Sequence, residues 1–302
     1  TETFVKPDAG SYEFAVRRAF PNLLALADDY VVALGGAVWP SNANVEQTTY
    51  RNSNLYDPNI GTHGAFVKVF SALPLNTVRA GAATAALGST DDGGSRVLIW
   101  GGDAENIRAE AFVESTSAGE GTFFAGYKIS GDITSFAGGL YFPTLTPIGN
   151  KKGTEGQNLV QFLSVGGIRH DKKAWLAPKK EDVYLVSVDD DAKTIETTRL
   201  AGLDTGIYLH QANRTDANHV VISGGFSGFG ASATFTMRTF DIQKGTFDNP
   251  PAAATFIKRG GHSSLTLTND CVLSFGGIES YDDLTKSQSA VSDIYCPAHL
   301  LP

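Results

Sequence analysis

Five times along the chain an apolar run closes in a pair of glycines: YVVALGG, RVLIWGG, QFLSVGG, HVVISGG and VLSFGG. The pairs are Gly35-Gly36, Gly101-Gly102, Gly166-Gly167, Gly224-Gly225 and Gly276-Gly277. Each lead-in (31–34, 97–100, 162–165, 220–223 and 272–275) is rich in β-branched or aromatic residues and bounded by turn formers. That pattern predicts five buried strands. Glycine at such a point permits positive φ and a close approach of another backbone where the strand ends. Gly-Gly alone is a weak marker in a chain with 33 glycines, and Gly93-Gly94, Gly138-Gly139 and Gly260-Gly261 lack the apolar lead-in.

More of the unit recurs. A strand of small residues comes first: LLALA (23–27), AATAAL (82–87) and SSLTLT (263–268). After the glycines and a variable loop comes an aromatic strand: NLYDP, FFAGYKI, DVYLVSV, TMRTFDI and SDIYC. A short fourth strand follows: AFVKVF, DITSF, TIETTRL and GTF. The chain therefore reads as all-β, with four strands per unit. Small residues lie on the first strand and bulky ones later, the gradient required where the innermost strand of a blade crowds a central channel.

The apolar strand ending in Gly-Gly, followed by a strand bearing Tyr56, Tyr127, Tyr184 or Tyr295, resembles the kelch β-propeller. The resemblance covers essentially residues 1–302 as one domain. It departs from the pattern in the fourth strand, which lacks the usual tryptophan in every unit, and at Phe240, which replaces the tyrosine in the fourth unit. It implies five four-stranded blades. Six is the alternative, with 103–165 as the place for an extra blade, because the units exceed the usual ~50-residue kelch repeat. The last unit ends at SDIYCPAHLLP without a fourth strand, while TETFV and YEFAV near the start are strand-like. An N-terminal strand is therefore expected to close the ring in the last blade and remove an exposed edge.

Composition narrows the function. The chain is 42% apolar, yet no apolar run approaches the ~20 residues that cross a bilayer. Net charge is −8, and the basic stretches IKR and DKKAWLAPKK are short and flanked by acids, which excludes the basic face of a nucleic-acid binder. Cys271 and Cys296 fall on neighbouring strands of one unit. A cross-strand disulfide there would indicate an oxidising compartment (secreted, periplasmic or cell-surface), whereas two buried thiols would not.

Candidate chemistry gathers around the glycine pairs. Arg18 and Arg259 lie 17 residues before their pair, and Arg79 takes the same place once STDDGGS is looped out. His210 and His262 lie 14 before theirs. By the kelch resemblance, the loop entering the first strand lies near the channel mouth. Arginines there would suit a carboxylate, a sulfate or an acidic peptide; the alternative is that each bonds loop carbonyls of the next blade. For the two histidines, a hydrogen bond between blades competes with a ligand role. The loops after Gly-Gly carry Trp39, Trp175, Phe226, Phe229 and Tyr281, which serve either as a sugar or peptide platform or as caps over the space between blades. No HExxH or paired CxxC occurs, and SVDDDAKTIE reads as a tight turn, so neither metal nor cofactor is expected.

The reading is a monomeric, exported, non-catalytic module that recognises a protein or glycan partner through loops on one face. The alternative is a sugar-active enzyme of the sialic-acid mutarotase or galactose-oxidase-like kind. It would use the Arg/His-lined mouth, with carboxylates such as Glu105 and Glu279.

Overall fold

A computed structural model describes residues 20–26, 29–37, 53–60, 64–67, 75, 77–91, 93–102, 109–114, 121–135, 138–170, 175–228, 232–233, 237–248, 257–280 and 291–296. The chain is all-β. Among these residues helical backbone is confined to 3-10 turns such as Asp132–Ser135. Two compact units are formed, Thr1–Asp103 with Arg108–Tyr127, and Ala104–Ile107 with Lys128–Pro302.

The first unit holds two antiparallel four-stranded meanders. One is β1 (Asn22–Ala25), β2 (Val31–Leu34), β3 (Ser53–Asp57) and β4 (Ala65–Val67). The other is β5 (Ala83–Ser89), β6 (Ser95–Trp100), β7 (Ala109–Glu114) and β8 (Gly121–Phe124). They share one core: Leu24, Val32, Leu34 and Leu55 of the first pack with Leu75, Val97, Ile99 and Phe112.

The second unit repeats the plan three times. Its first sheet runs β11 (Thr144–Lys152), β12 (Asn158–Val165), β15 (Val183–Asp189) and β16 (Thr194–Arg199), with β9 (Lys128–Gly131) added parallel to β16. Next comes β17 (Gln211–Arg214), β18 (His219–Ser223), β19 (Met237–Asp241) and β20 (Thr246–Asp248), and last the three-stranded β21 (Ser263–Thr266), β22 (Val272–Phe275) and β23 (Ser292–Tyr295). Alternation along β18 joins them, since Val220 and Ile222 pack with Leu163 and Val165 while Val221 packs with Val272. A small sheet of β10 (Gly139–Tyr141), β13 (Ile168–His170) and β14 (Trp175–Leu176) lies beside the third meander.

One expectation is corrected here. The third and fourth strands of the second sequence repeat are β7 and β8, not FFAGYKI and DITSF. Phe123 and Phe124 end β8, KISG supplies β9 on the next sheet, and DITS is a 3-10 turn. The aromatic pair mimicked the third strand of the other units, while the alternating AEAFVE upstream was the true one. Asp132 and Thr197 bind β9 to β16: Arg199 N donates to Asp132 Oδ2 at 2.6 Å and Thr197 Oγ1 to Ser130 O at 2.7 Å.

The glycine pairs end β2, β6, β12, β18 and β22, and all ten residues have positive φ, from 59° to 103°. Three of the pairs join successive meanders within a compact unit. Gly36 N donates to Arg79 O, Gly167 N to Ile207 O and Gly225 N to Arg259 O, at 2.7–2.8 Å; each acceptor lies four residues before the first strand of the next meander. A Cβ on Gly224 would collide with Arg259 O, leaving no room for a side chain. A second fivefold mark is the left-handed residue two positions before each first strand: Phe20, Gly81, Phe142, Leu209 and Gly261.

The tight-turn reading of SVDDDAKTIE agrees with the backbone. Asp189 Oδ1 accepts from the N–H groups of Asp191 and Ala192, and Asp241 closes the β19–β20 turn in the same way through Gln243 and Lys244. Cys271 and Cys296 form a disulfide across the start of β22 and the end of β23.

Candidate functional site: a basic cleft on the third meander

Arg79 and Arg259 occupy equivalent places. Arg79 donates from Nε to Glu110 Oε1 at 2.7 Å and from NH1 to Gly101 O. Arg259 donates to Gly276 O at 3.0 Å, Val291 O at 2.8 Å and Asp293 Oδ2 at 2.6 Å. In both, the guanidinium reaches the first glycine of its own meander's pair and the acid at the second position of the third strand. Both are buried, at 1% and 2% exposure. The carbonyl contacts are within the arginine's own meander.

The two histidines bridge neighbouring meanders. His210 Nε2 is 3.0 Å from Thr144 Oγ1, and His262 Nε2 is 3.2 Å from Ser223 Oγ. Burial pushes His210 down to about 3, helped by the nearby His262 and opposed by the Val165 backbone. Burial and then the Arg259 charge push His262 down to about 4. Phe226 is fully buried in a layer with Tyr141, Ile168 and Tyr208, against which Trp175 packs. Trp175 also meets Tyr141 and His170 edge-on, each at 4.8 Å between ring centroids. Glu279 is exposed, and its carbonyl accepts from Ala233 N. Arg18, Trp39, Glu105, Phe229 and Tyr281 lie outside the described residues.

An open cleft of about 620 Å³ lies on the third meander, lined by Arg169, Pro178, Lys179, Lys180, Glu181, Arg199, Asp204, Thr205 and Gly206. Arg169 follows Gly166-Gly167 in β13, and Asp182 grips its guanidinium from both carboxylate oxygens. The Tyr184 hydroxyl donates to Asp182 Oδ1 at 3.2 Å; burial raises its pKa, so it stays a neutral donor. Opposite Tyr184 in the register, Arg199 lays its guanidinium 5.7 Å from the centre of the tyrosine ring and donates to its hydroxyl at 3.4 Å. The floor is backbone: Leu203 N donates to Lys180 O at 2.9 Å, and a Cβ at Gly206 would collide with Pro178 O.

Charge in the cleft is unbalanced. Asp182 offsets Arg169, and Arg238 bonds Asp204. Among the described residues that leaves Lys179, Lys180 and Arg199 against Glu181 and Asp132, whose carboxylate accepts from the Arg199 amide, so the cleft keeps a positive excess on a chain whose net charge is −8. The volume falls in the range of small-molecule and sugar sites. Sequence reasoning passed over these residues because PKKED looked neutralised along the chain. In space Asp182 turns inward to Arg169 and leaves the lysines at the rim. No family model and no curated protein matches this sequence.

Proposed function

We propose that the chain is a non-catalytic binding module that takes an anionic glycan, bearing carboxylate or sulfate groups, in the cleft of the third meander. The observation that carries this reading is the net positive rim of Lys179, Lys180 and Arg199 around a concave opening on an acidic protein. Lysines steer and hold an anion as point charges, and Arg199, held over the Tyr184 ring, presents a fixed planar donor. Titration with a uronic-acid or sulfated oligosaccharide should show binding that weakens as salt is raised. Lys179→Ala/Lys180→Ala should weaken it at least ~10-fold, equivalent to ~1.4 kcal/mol. Equal affinity for a neutral oligosaccharide of the same length would refute the reading. Binding of an acidic peptide, but not of the sugar, would identify a protein partner instead.

In this proposal the five meanders are the blades of a kelch-like five-bladed propeller. Four sheets contain a complete meander of four strands and the last contains three, ending in β23 with Val291 and Ile294 exposed. On this reading the strand-like TETFV or YEFAV, which lies outside the described residues, would complete it. A chain beginning at Phe20 should melt at a lower temperature and associate through the uncovered edge, as read by calorimetry and light scattering. An unchanged melting point and monomeric mass would count against closure. The disulfide supports an exported location.

A further inference from the structure

His219 opens β18 and Asp241, its directly paired partner, closes β19. Asp248 closes β20, where the register of Asp241 with Thr246 and of Thr239 with Asp248 keeps it on the same face of the sheet. One donor atom from each of the three lies within 4.8 Å of the other two.

Four further features separate this cluster from an ordinary acidic surface. The donor set is mixed, one imidazole nitrogen with two carboxylate oxygens. His219 Nδ1 is held by Asp216 Oδ2 at 2.8 Å, so in the neutral ring Nδ1–H donates outward and Nε2 carries the lone pair. A carboxylate that orients a ligating imidazole from behind is the usual outer partner of a metal-bound histidine. Asp241 is itself fixed, since its Oδ1 accepts two turn N–H groups. Finally, a cation already rests there: the ammonium of Lys244, itself 66% exposed, sits 2.6 Å from Asp241 Oδ2. The sister turn at Asp189 has a lysine on Asp190 but no imidazole, so the turn does not itself call for His219.

We propose that His219, Asp241 and Asp248 form a Zn2+-class divalent metal site that clamps β18, β19 and β20, with Asp216 orienting the imidazole. One imidazole with two carboxylates suits a first-row ion such as Zn2+ better than Mg2+ or Ca2+, which prefer all-oxygen cages. Three protein ligands leave a position for water or an outside ligand. The ion displaces the Lys244 ammonium, which is cheap to move because that side chain is solvent-exposed. The site shares no residue with the cleft, so it stands or falls independently of the glycan reading.

The test is calorimetric titration of the full, tag-free, chelator-washed chain with ZnCl2, together with its melting temperature. One Zn2+ per chain and a higher melting temperature are expected, with no comparable effect from MgCl2. Asp248→Asn, at an exposed strand end, should abolish uptake while leaving the metal-free melting temperature unchanged. Asp216→Asn should weaken uptake ~10–100-fold, the effect typical of outer partners. Lys244→Ala should tighten it by removing the competing ammonium. No uptake, uptake that survives both Asp248→Asn and His219→Gln, or equal uptake of Mg2+ would overturn the proposal.

Discussion

Lowering the pH from 7 to 5 should strip the protein of several kcal/mol of stability, well before its carboxylates protonate. Two rings account for this. His210 and His262 are buried between meanders and stay neutral in the folded state down to about pH 3 and 4. In the unfolded chain each takes up a proton near pH 6.5. The unfolded state therefore binds more protons as the pH falls, and stability that is complete above about pH 6.5 is lost on acidification. Each ring contributes up to ~1.4 kcal/mol per pH unit below that point, so the pair removes ~4 kcal/mol by pH 5. That is a large part of the 5–15 kcal/mol typical of a folded domain. Chemical denaturation at half-unit pH steps measures the slope. His210→Gln and His262→Gln should each remove about half of it, and a chain equally stable at pH 7 and 5 would mean that the rings charge without unfolding.

Glu110→Ala should cost ~3–5 kcal/mol, read as a lower urea midpoint. Glu110 is wholly buried on β7 and bonded to the equally buried Arg79. Removing the carboxylate takes away the buried anion that holds the Arg79 guanidinium through Nε. Two companion variants give the expected order. Replacing both partners by apolar residues of similar volume, Arg79→Met with Glu110→Leu, should be far milder than the single change. Asp293→Ala at the equivalent place should cost less than Glu110→Ala, because Asp293 is 19% exposed and water can reach the abandoned Arg259 head. A small loss for Glu110→Ala would mean that water enters the second meander's core.

The fold was readable at its glycines and hardly at all at its polar couples. Gly-Gly after an apolar run marks a backbone with positive φ that other side chains rarely adopt, and composition carries that constraint. The left-handed residues before the first strands were hidden, because Phe20, Phe142 and Leu209 adopt that conformation without glycine. Arg79 and Arg259 stood out by spacing, but their acids lie 31 and 34 residues further on, on the third strand. No local period reveals a partner so placed; only the register brings Glu110 opposite Ile99 and Asp293 opposite Ser274. The same holds for the cleft, where Asp182 reads as a neighbour of Lys180 along the chain yet serves Arg169 on a different strand. The two cysteines were the easy case, since pairing of adjacent strands sets their separation directly.

Three joints between successive meanders, each within one compact unit, share a main-chain contact beside their side-chain packing: a glycine amide against a carbonyl four residues ahead of the next first strand. A contact built this way is indifferent to what the surrounding side chains are. Exposed positions of the copies can drift apart, and their loops can be lengthened or exchanged, while these main-chain contacts stay the same. For anyone grafting a new recognition loop onto this scaffold, the glycine doublets are the stitches to leave alone, and the stretches that follow them are the cloth that can be recut.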